Sequence, residues 1–295
     1  TGVFHILEHS VLCGSAKFPV KEPFVDLIKS SMQTFLNAMT YPDKTIYPVA
    51  TTNEQDLYNL MDVYLDAVFN PAIYTKPTIF EQEGWHYELE RPEDELKVNG
   101  IVYNEMKGVL SSPDSQVFDE LCKALYPDTT YGRSSGGDPE CIPSLTYEQY
   151  LDFHRTHYHP SNSYIYLWGD CDLKERLEWM DKNYLSHYDA IDVSGTEITE
   201  QKPFGGLHRE RAYFSVEPGS AQGERDERGY LVYAAVTCPS GDPLECIAWD
   251  IIGEVLIGTT GAPLRECVRV LRDNGAAAVL CLTVAKTPNN EKKEK

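Results

Sequence analysis

Five residues near the start of the chain, His5-Ile6-Leu7-Glu8-His9, set two imidazoles and a carboxylate within little more than one helical turn. Residues four apart on a helix differ by about 40° in azimuth, so His5 and His9 project side by side and can offer two ring nitrogens to one metal ion. Glu8 lies about 60° from His5 and about 100° from His9, which suits reach to a water molecule better than joint ligation. Zinc is the expected ion, because imidazole and carboxylate donors suit it and it supports hydrolysis without redox chemistry. Its contribution there would be an acidified water and a polarised peptide carbonyl, with Glu8 as the general base that takes the proton and returns it to the departing amine. The bland alternative is a surface helix whose two histidines bind nothing, and a third ligand is what separates the two. By chemistry alone Glu81, Glu83, Glu88, Glu90 and Glu105 all qualify, and spacing cannot choose among residues that folding brings together.

The elements that must carry these groups follow from periodicity. Val3, Phe4, Leu7 and Val11 recur at helical spacing, with Gly14 placed to end the helix. Pro23, Phe24, Leu27 and Ile28 suggest a second, short helix. The period then changes: "MQTFLNAMT" and "TIYPV" flank "YPDK" and read as an antiparallel pair joined by a turn, with Pro48 marking a sheet edge. Asn53, with Asp56 three residues later, can cap a helix whose apolar stripe is Leu57, Leu60, Met61, Tyr64, Leu65 and Val68, ended by Asn70-Pro71.

Further helices are expected from Pro77 through Phe80 and Trp85, at "NEMKGVL" and "QVFDELCKAL", after the Thr146/Gln149 capping box, and from Asp172 to about Tyr184, while "SYIYLWG" reads as a strand. Residues 190–207 lose the apolar period and gather Gly, Thr, Glu and Pro, as a linker would. Beyond them "GYLVYAAVT" reads as a strand, Asp242-Pro243 opens a helix that Gly258 stops, Pro263 begins another, and "AAAVLCLTV" is a strand. The expected organisation is therefore a first domain over 1–190, a linker over 191–207 and part of a second, similar domain over 208–295. A faint repeat supports it: "LCGS" at 12–15 and "LIGT" at 256–259 each follow a helix, and aligning them sets His5, Glu8 and His9 opposite Trp249, Ile252 and Gly253. The second copy would carry no metal site.

Composition narrows the classes. At 295 residues, 42% of them apolar, the chain can bury a sizeable core, and no run approaches a membrane span. A net charge of −20 argues against nucleic acid or anionic lipid as partner and leaves cationic ligands open. The eight cysteines contain no C-x-x-C pair, which argues against a disulfide framework and fits a reducing compartment. Cys13, one turn beyond His9, reads as a buried inert thiol. His86, His154, His157 and His159 are expected to cap, pair or lie at the surface instead of forming a second metal cluster.

"TGVFHILEHSVLCGSAKFPVKEPF", "TFLNAMTYPDKTIYPVAT", "VYLDAVFNP", "EGWHYELE", "YNEMKG" and "SGGDPECIPSLTYEQY" together resemble the presequence-protease branch of the pitrilysin (insulinase) metallopeptidases, from residue 1 to about 190. The resemblance implies an α+β fold of the pitrilysin type, an antiparallel-rich sheet packed with helices. It implies that His5, His9 and Glu105 bind one zinc ion, that Glu8 is the base, and that Asn37, Ala38 and Thr40 lie on an edge strand that aligns the peptide main chain. The activity implied is endopeptidase cleavage of unstructured, presequence-like peptides, to which the acidic composition adds an expectation of cationic ones; a non-catalytic structural member of the same fold is the alternative. Enzymes of this family are longer, with four similar domains in two halves, the second half supplying an arginine and a tyrosine. Nothing here matches that half, so the chain is expected to be part of a larger enzyme and weakly active or inactive alone. The implied location is the cytoplasm of a bacterium or the mitochondrial matrix of a eukaryote, not a secreted one.

Overall fold

A computed structural model of the chain describes residues 1–21, 23–202, 204–206, 208–213, 230–257 and 278–284. These fall into two compact units: Thr1–Val109 with Ser134–Glu197, and Leu110–Arg133 with the chain from Ile198 onward.

The first unit opens with α1 (Val3–Val11), which carries the histidine pair. Ile6, Leu7 and Val11 are fully buried on it, and burying each such side chain is worth about 1.5–3 kcal/mol, so this helix is a core element and not a surface one. It packs on α4 (Thr78–Glu83) and α7 (Tyr147–His157). After α2 (Pro23–Ser30) come four short strands, β1 (Gln33–Leu36), β2 (Met39–Thr40), β3 (Thr45–Ile46) and β4 (Val49–Thr51). They form one interrupted antiparallel hairpin: Met39 opposes Ile46 and Thr40 opposes Thr45, while further out Leu36 opposes Val49. The turn is closed by the Tyr41 N–H donating to the Lys44 carbonyl at 2.8 Å. Between the two ladders Pro48, which has no N–H to give, accepts from the Asn37 N–H at 3.2 Å.

α3 (Glu54–Phe69) is the long helix expected from its stripe, and Asn53 caps it by accepting from the Asp56 N–H at 2.9 Å. Leu60, Met61, Val63, Tyr64 and Ala67 form its buried face. β5 (His86–Glu88) and β6 (Lys97–Asn99) make a second antiparallel pair leading into α5 (Ile101–Val109). The Thr146/Gln149 capping box opens α7 in full, and Asp172 caps α8 (Leu173–Asn183).

One expected strand, over residues 163–169, does not form among the described residues, and Tyr164, Tyr166 and Trp168 stand almost wholly exposed. The alternation is that of a strand, but a strand is defined by its neighbour, and none is paired with it here.

In the second unit α6 (Pro113–Leu125) packs with β7 (Tyr230–Val236), which pairs in parallel with β8 (Ala278–Val284); α9 (Pro243–Ile257) lies between them in sequence. The helix expected from Pro263 and the stop at Gly258 lie outside the described residues. Antiparallel hairpins and helices in the first unit and a helix-connected parallel pair in the second give the mixed α+β class expected.

Candidate metal centre and active site

α1 buries its apolar side and turns the histidines toward α5. The rings of His5 and His9 stand edge to face, 4.9 Å between centroids. Glu105, one turn into α5, brings its Oε2 to 3.8 Å from Nε2 of His5 and to 3.8 Å from Nε2 of His9. All three donor atoms lie within 4.8 Å of one another, and no other such group of three occurs among the described residues.

Whether this set suits zinc can be judged from the other face of each ring. The Nδ1–H of His5 donates to the Gly136 carbonyl at 3.0 Å, and the Nδ1–H of His9 donates to Glu83 Oε2 at 3.3 Å. Fixing the proton on Nδ1 leaves the Nε2 lone pairs free, and both point to the same carboxylate oxygen. Zinc bonds of about 2.0–2.1 Å at tetrahedral angles hold donors about 3.3 Å apart, so each imidazole nitrogen at 3.8 Å from Glu105 Oε2 need approach that oxygen by only about half an ångström. Zinc therefore fits, with His5, His9 and Glu105 as the residues that would hold it.

Glycines make the His5 contact possible. Gly2 and Gly137 both adopt positive φ, 68° and 98°, and a Cβ on Gly137 would sit 2.6 Å from Gly2 Cα. Only a pair without side chains lets the 136–137 turn press onto the start of α1 and present its carbonyl to His5. Gly100, just before α5, plays the matching part for Glu105, since a Cβ there would meet the Gly84 carbonyl at 2.1 Å.

Glu83 was one of five carboxylates that chemistry alone allowed as third ligand. It sits buried at the end of α4, on the far side of His9 from Glu105, where its Oε1 also accepts from Gln82 Nε2 at 2.9 Å and lies 3.4 Å from the Cys13 sulfur. Burial alone would make His9 harder to protonate, but the hydrogen bond and charge of Glu83, joined by Glu8 and Glu105, outweigh it and leave its pKa raised. A metal entering here must displace a proton held more tightly than on a free imidazole. Cys13, half-buried, is held between His9 and Glu83 and not sunk in the apolar core. Glu88, another of the five, accepts from Asn99 Nδ2 at 2.9 Å in the β5–β6 hairpin.

Glu8 is buried, 8% exposed, on the helix between the two histidines. Its charge is felt by two phenols, Tyr47 and Tyr158, whose hydroxyls share a hydrogen bond at 3.0 Å. Burial first, and the Glu8 carboxylate as a lesser cause, push both phenols up, Tyr158 to about 12. Both phenols therefore stay neutral at ordinary pH.

Asn37 and Ala38 fall in the gap between β1 and β2, and Thr40 lies on β2. The Asn37 carboxamide oxygen accepts from the Ala38 N–H at 2.9 Å, and Thr40 Oγ1 faces Thr45 Oγ1 at 3.4 Å. The four other histidines singled out in the sequence make contacts away from this group: His154 is buried and doubly hydrogen-bonded, His157 stacks on Phe153, His159 accepts from the Ser161 N–H, and His86 donates to the Glu81 carbonyl.

Two helix-borne histidines thus face a carboxylate on a separate helix within a mixed α+β unit, a set of donors that could hold one metal ion. The chain belongs to the insulinase family, peptidase family M16: that family's own description matches residues 1–138, and the M16 inactive domain matches 144–277. It is 51% identical over 271 residues to Protein HypA of Clostridium perfringens, 91% of this chain and 27% of that protein. It is 45% identical over 284 residues to presequence protease 1 (chloroplastic/mitochondrial) of Arabidopsis thaliana and 44% identical over 271 to the mitochondrial presequence protease of Danio rerio, each covered to 26% of its length. The chain thus spans about a quarter of these relatives. Among solved structures, a protease from Helicobacter pylori superposes with a TM-score of 0.56 at 17% identity, over 92% of this chain and 59% of that one. This likeness bears on the fold alone.

Proposed function

We propose that the polypeptide carrying these residues is a zinc-dependent endopeptidase that cleaves unstructured, presequence-like peptides, and that His5, His9 and Glu105 hold its metal. The convergence of two proton-fixed imidazoles on one carboxylate oxygen carries the reading. Zinc bound there would supply Lewis acidity toward a peptide carbonyl and a water of lowered pKa.

The chain's own groups do the rest. Glu8 accepts the water's proton and delivers it to the leaving nitrogen, and its burial keeps bulk water from competing for that proton. Gly136 and Glu83 hold the imidazoles in register throughout. The hairpin segment Asn37–Thr40 aligns an extended peptide through its backbone, a mode that is tolerant of side chains and demands an unfolded substrate. A net charge of −20 favours cationic peptides. The names of the relatives support the substrate class, and the location we infer is the mitochondrial matrix in a eukaryote or the cytoplasm in a bacterium. The 295 residues alone are expected to be weakly active or inactive, the rest of the polypeptide completing the site.

The test compares cleavage of a basic, unfolded peptide by the full polypeptide and by its Glu8→Gln variant at equal zinc content. Loss of the base should lower kcat by about 10²–10⁴. Equal turnover by both would end the assignment of Glu8, and no turnover by the unaltered protein would favour a non-catalytic role.

A further inference from the structure

The second unit brings together two thiols that the linear sequence separates. Cys238 lies two residues beyond the end of β7, and Cys246 lies in the first turn of α9, yet their sulfurs are 3.6 Å apart. The turn between them is held from both sides. The Asp242 N–H donates to the Pro239 carbonyl at 3.2 Å, the Asp242 side chain caps α9 by accepting from the Glu245 N–H at 2.9 Å, and the Cys246 N–H donates to the Asp242 carbonyl at 3.0 Å. Cys246 Sγ also lies 3.5 Å from the Pro239 carbonyl. Cys238 is buried, 4% exposed, and Cys246 is half-buried, its surface partly open to solvent.

Two sulfurs 3.6 Å apart must close to about 2.05 Å to bond, a movement of about 1.5 Å. One accessible thiol beside one buried thiol is the division of labour of a thiol pair that reacts with a small oxidant in two steps. We propose that Cys238 and Cys246 form a reversible disulfide, making the β7–α9 turn a site of oxidative modification by a small disulfide of the glutathione-disulfide type. Cys246, as thiolate, attacks one sulfur of the oxidant, breaking its S–S bond, releasing one reduced thiol and leaving a mixed disulfide. Cys238 then gives up its proton and attacks the Cys246 sulfur, expelling the second reduced thiol. The two protein thiols together lose two electrons and two protons, and the oxidant gains them.

The full polypeptide is incubated with glutathione disulfide, remaining thiols are alkylated, and a non-reducing digest that cleaves after Glu245 separates the two cysteines for mass analysis. The expected product is a 238–246 cross-linked pair lighter by two hydrogens, with two fewer alkylated thiols, restored by dithiothreitol. Cys246→Ser and Cys238→Ser should each abolish it. Both cysteines fully alkylated after treatment, a stable glutathione adduct on either one in the unaltered protein, or their pairing with other cysteines would overturn the proposal. The decisive reading is taken on the unaltered protein, so a variant that fails to fold does not blunt the test.

Discussion

His154 offers a stability test that is independent of metal. Its Nε2–H donates to the Val68 carbonyl at 3.0 Å, and its Nδ1 accepts from the Tyr74 hydroxyl at 2.7 Å, so the neutral ring has both nitrogens satisfied without bringing a charge into the core. Burial lowers its pKa and the Arg155 charge adds to that, against the pull of the Val68 carbonyl, bringing it from 6.5 to about 4. Between those values the unfolded chain binds a proton that the folded chain refuses. Stability from this residue is therefore complete above about pH 6.5, declines as pH falls, and is fully lost below about pH 4. A gap of about 2.5 at about 1.4 kcal/mol each amounts to about 3 kcal/mol. Replacing the ring in His154→Gln should lower stability at pH 7 and flatten the slope between pH 6.5 and 4 by that amount, read from denaturant unfolding at several pH values. Proton NMR of the ring would refute the reasoning if His154 titrated near 6.5, as would an unchanged slope in the variant.

Glu83→Ala removes the acceptor that fixes the His9 tautomer and should weaken zinc binding by about 10–100-fold in chelator competition, with Glu83→Gln milder because an amide oxygen can still accept. Gly100→Ala forces a backbone shift where α5 begins, since the new Cβ would meet the Gly84 carbonyl at 2.1 Å; it should displace Glu105 and cost zinc affinity as well as melting temperature. Leu7→Ala empties a fully buried site on the histidine helix and should cost about 2–5 kcal/mol in unfolding free energy.

The helices were legible because their signals are local. The Asn53 cap, the Thr146/Gln149 box and the Asp172 cap each act within one turn, and each forms as the sequence suggests. So does the pairing of two imidazoles, which one helix fixes by itself. That Glu105 and not Glu83 approaches the Nε2 atoms of both histidines was not legible from spacing, because both carboxylates lie far from His9 in sequence and differ only in which ring nitrogen they approach. It came from the likeness of "YNEMKG" to a family motif. Nor could the sequence disclose the Gly136 carbonyl on His5, a contact across 131 positions made by backbone rather than by any distinctive side chain. The strand at 163–169 failed for the complementary reason: alternation declares a strand's willingness to pair but not the presence of a neighbour. The cysteine pair was missed because eight residues spanning a strand end, a turn and a helix start have no fixed geometry until the turn is folded.

X-ray absorption at the zinc edge, on the full polypeptide and on its Glu105→Gln variant, tests the central claim most directly. One zinc per chain is expected, with two imidazole nitrogens and oxygen donors in the inner shell, and a marked loss of affinity when the carboxylate becomes an amide. A protein that binds no zinc, or binds it equally well without the Glu105 carboxylate, would contradict it.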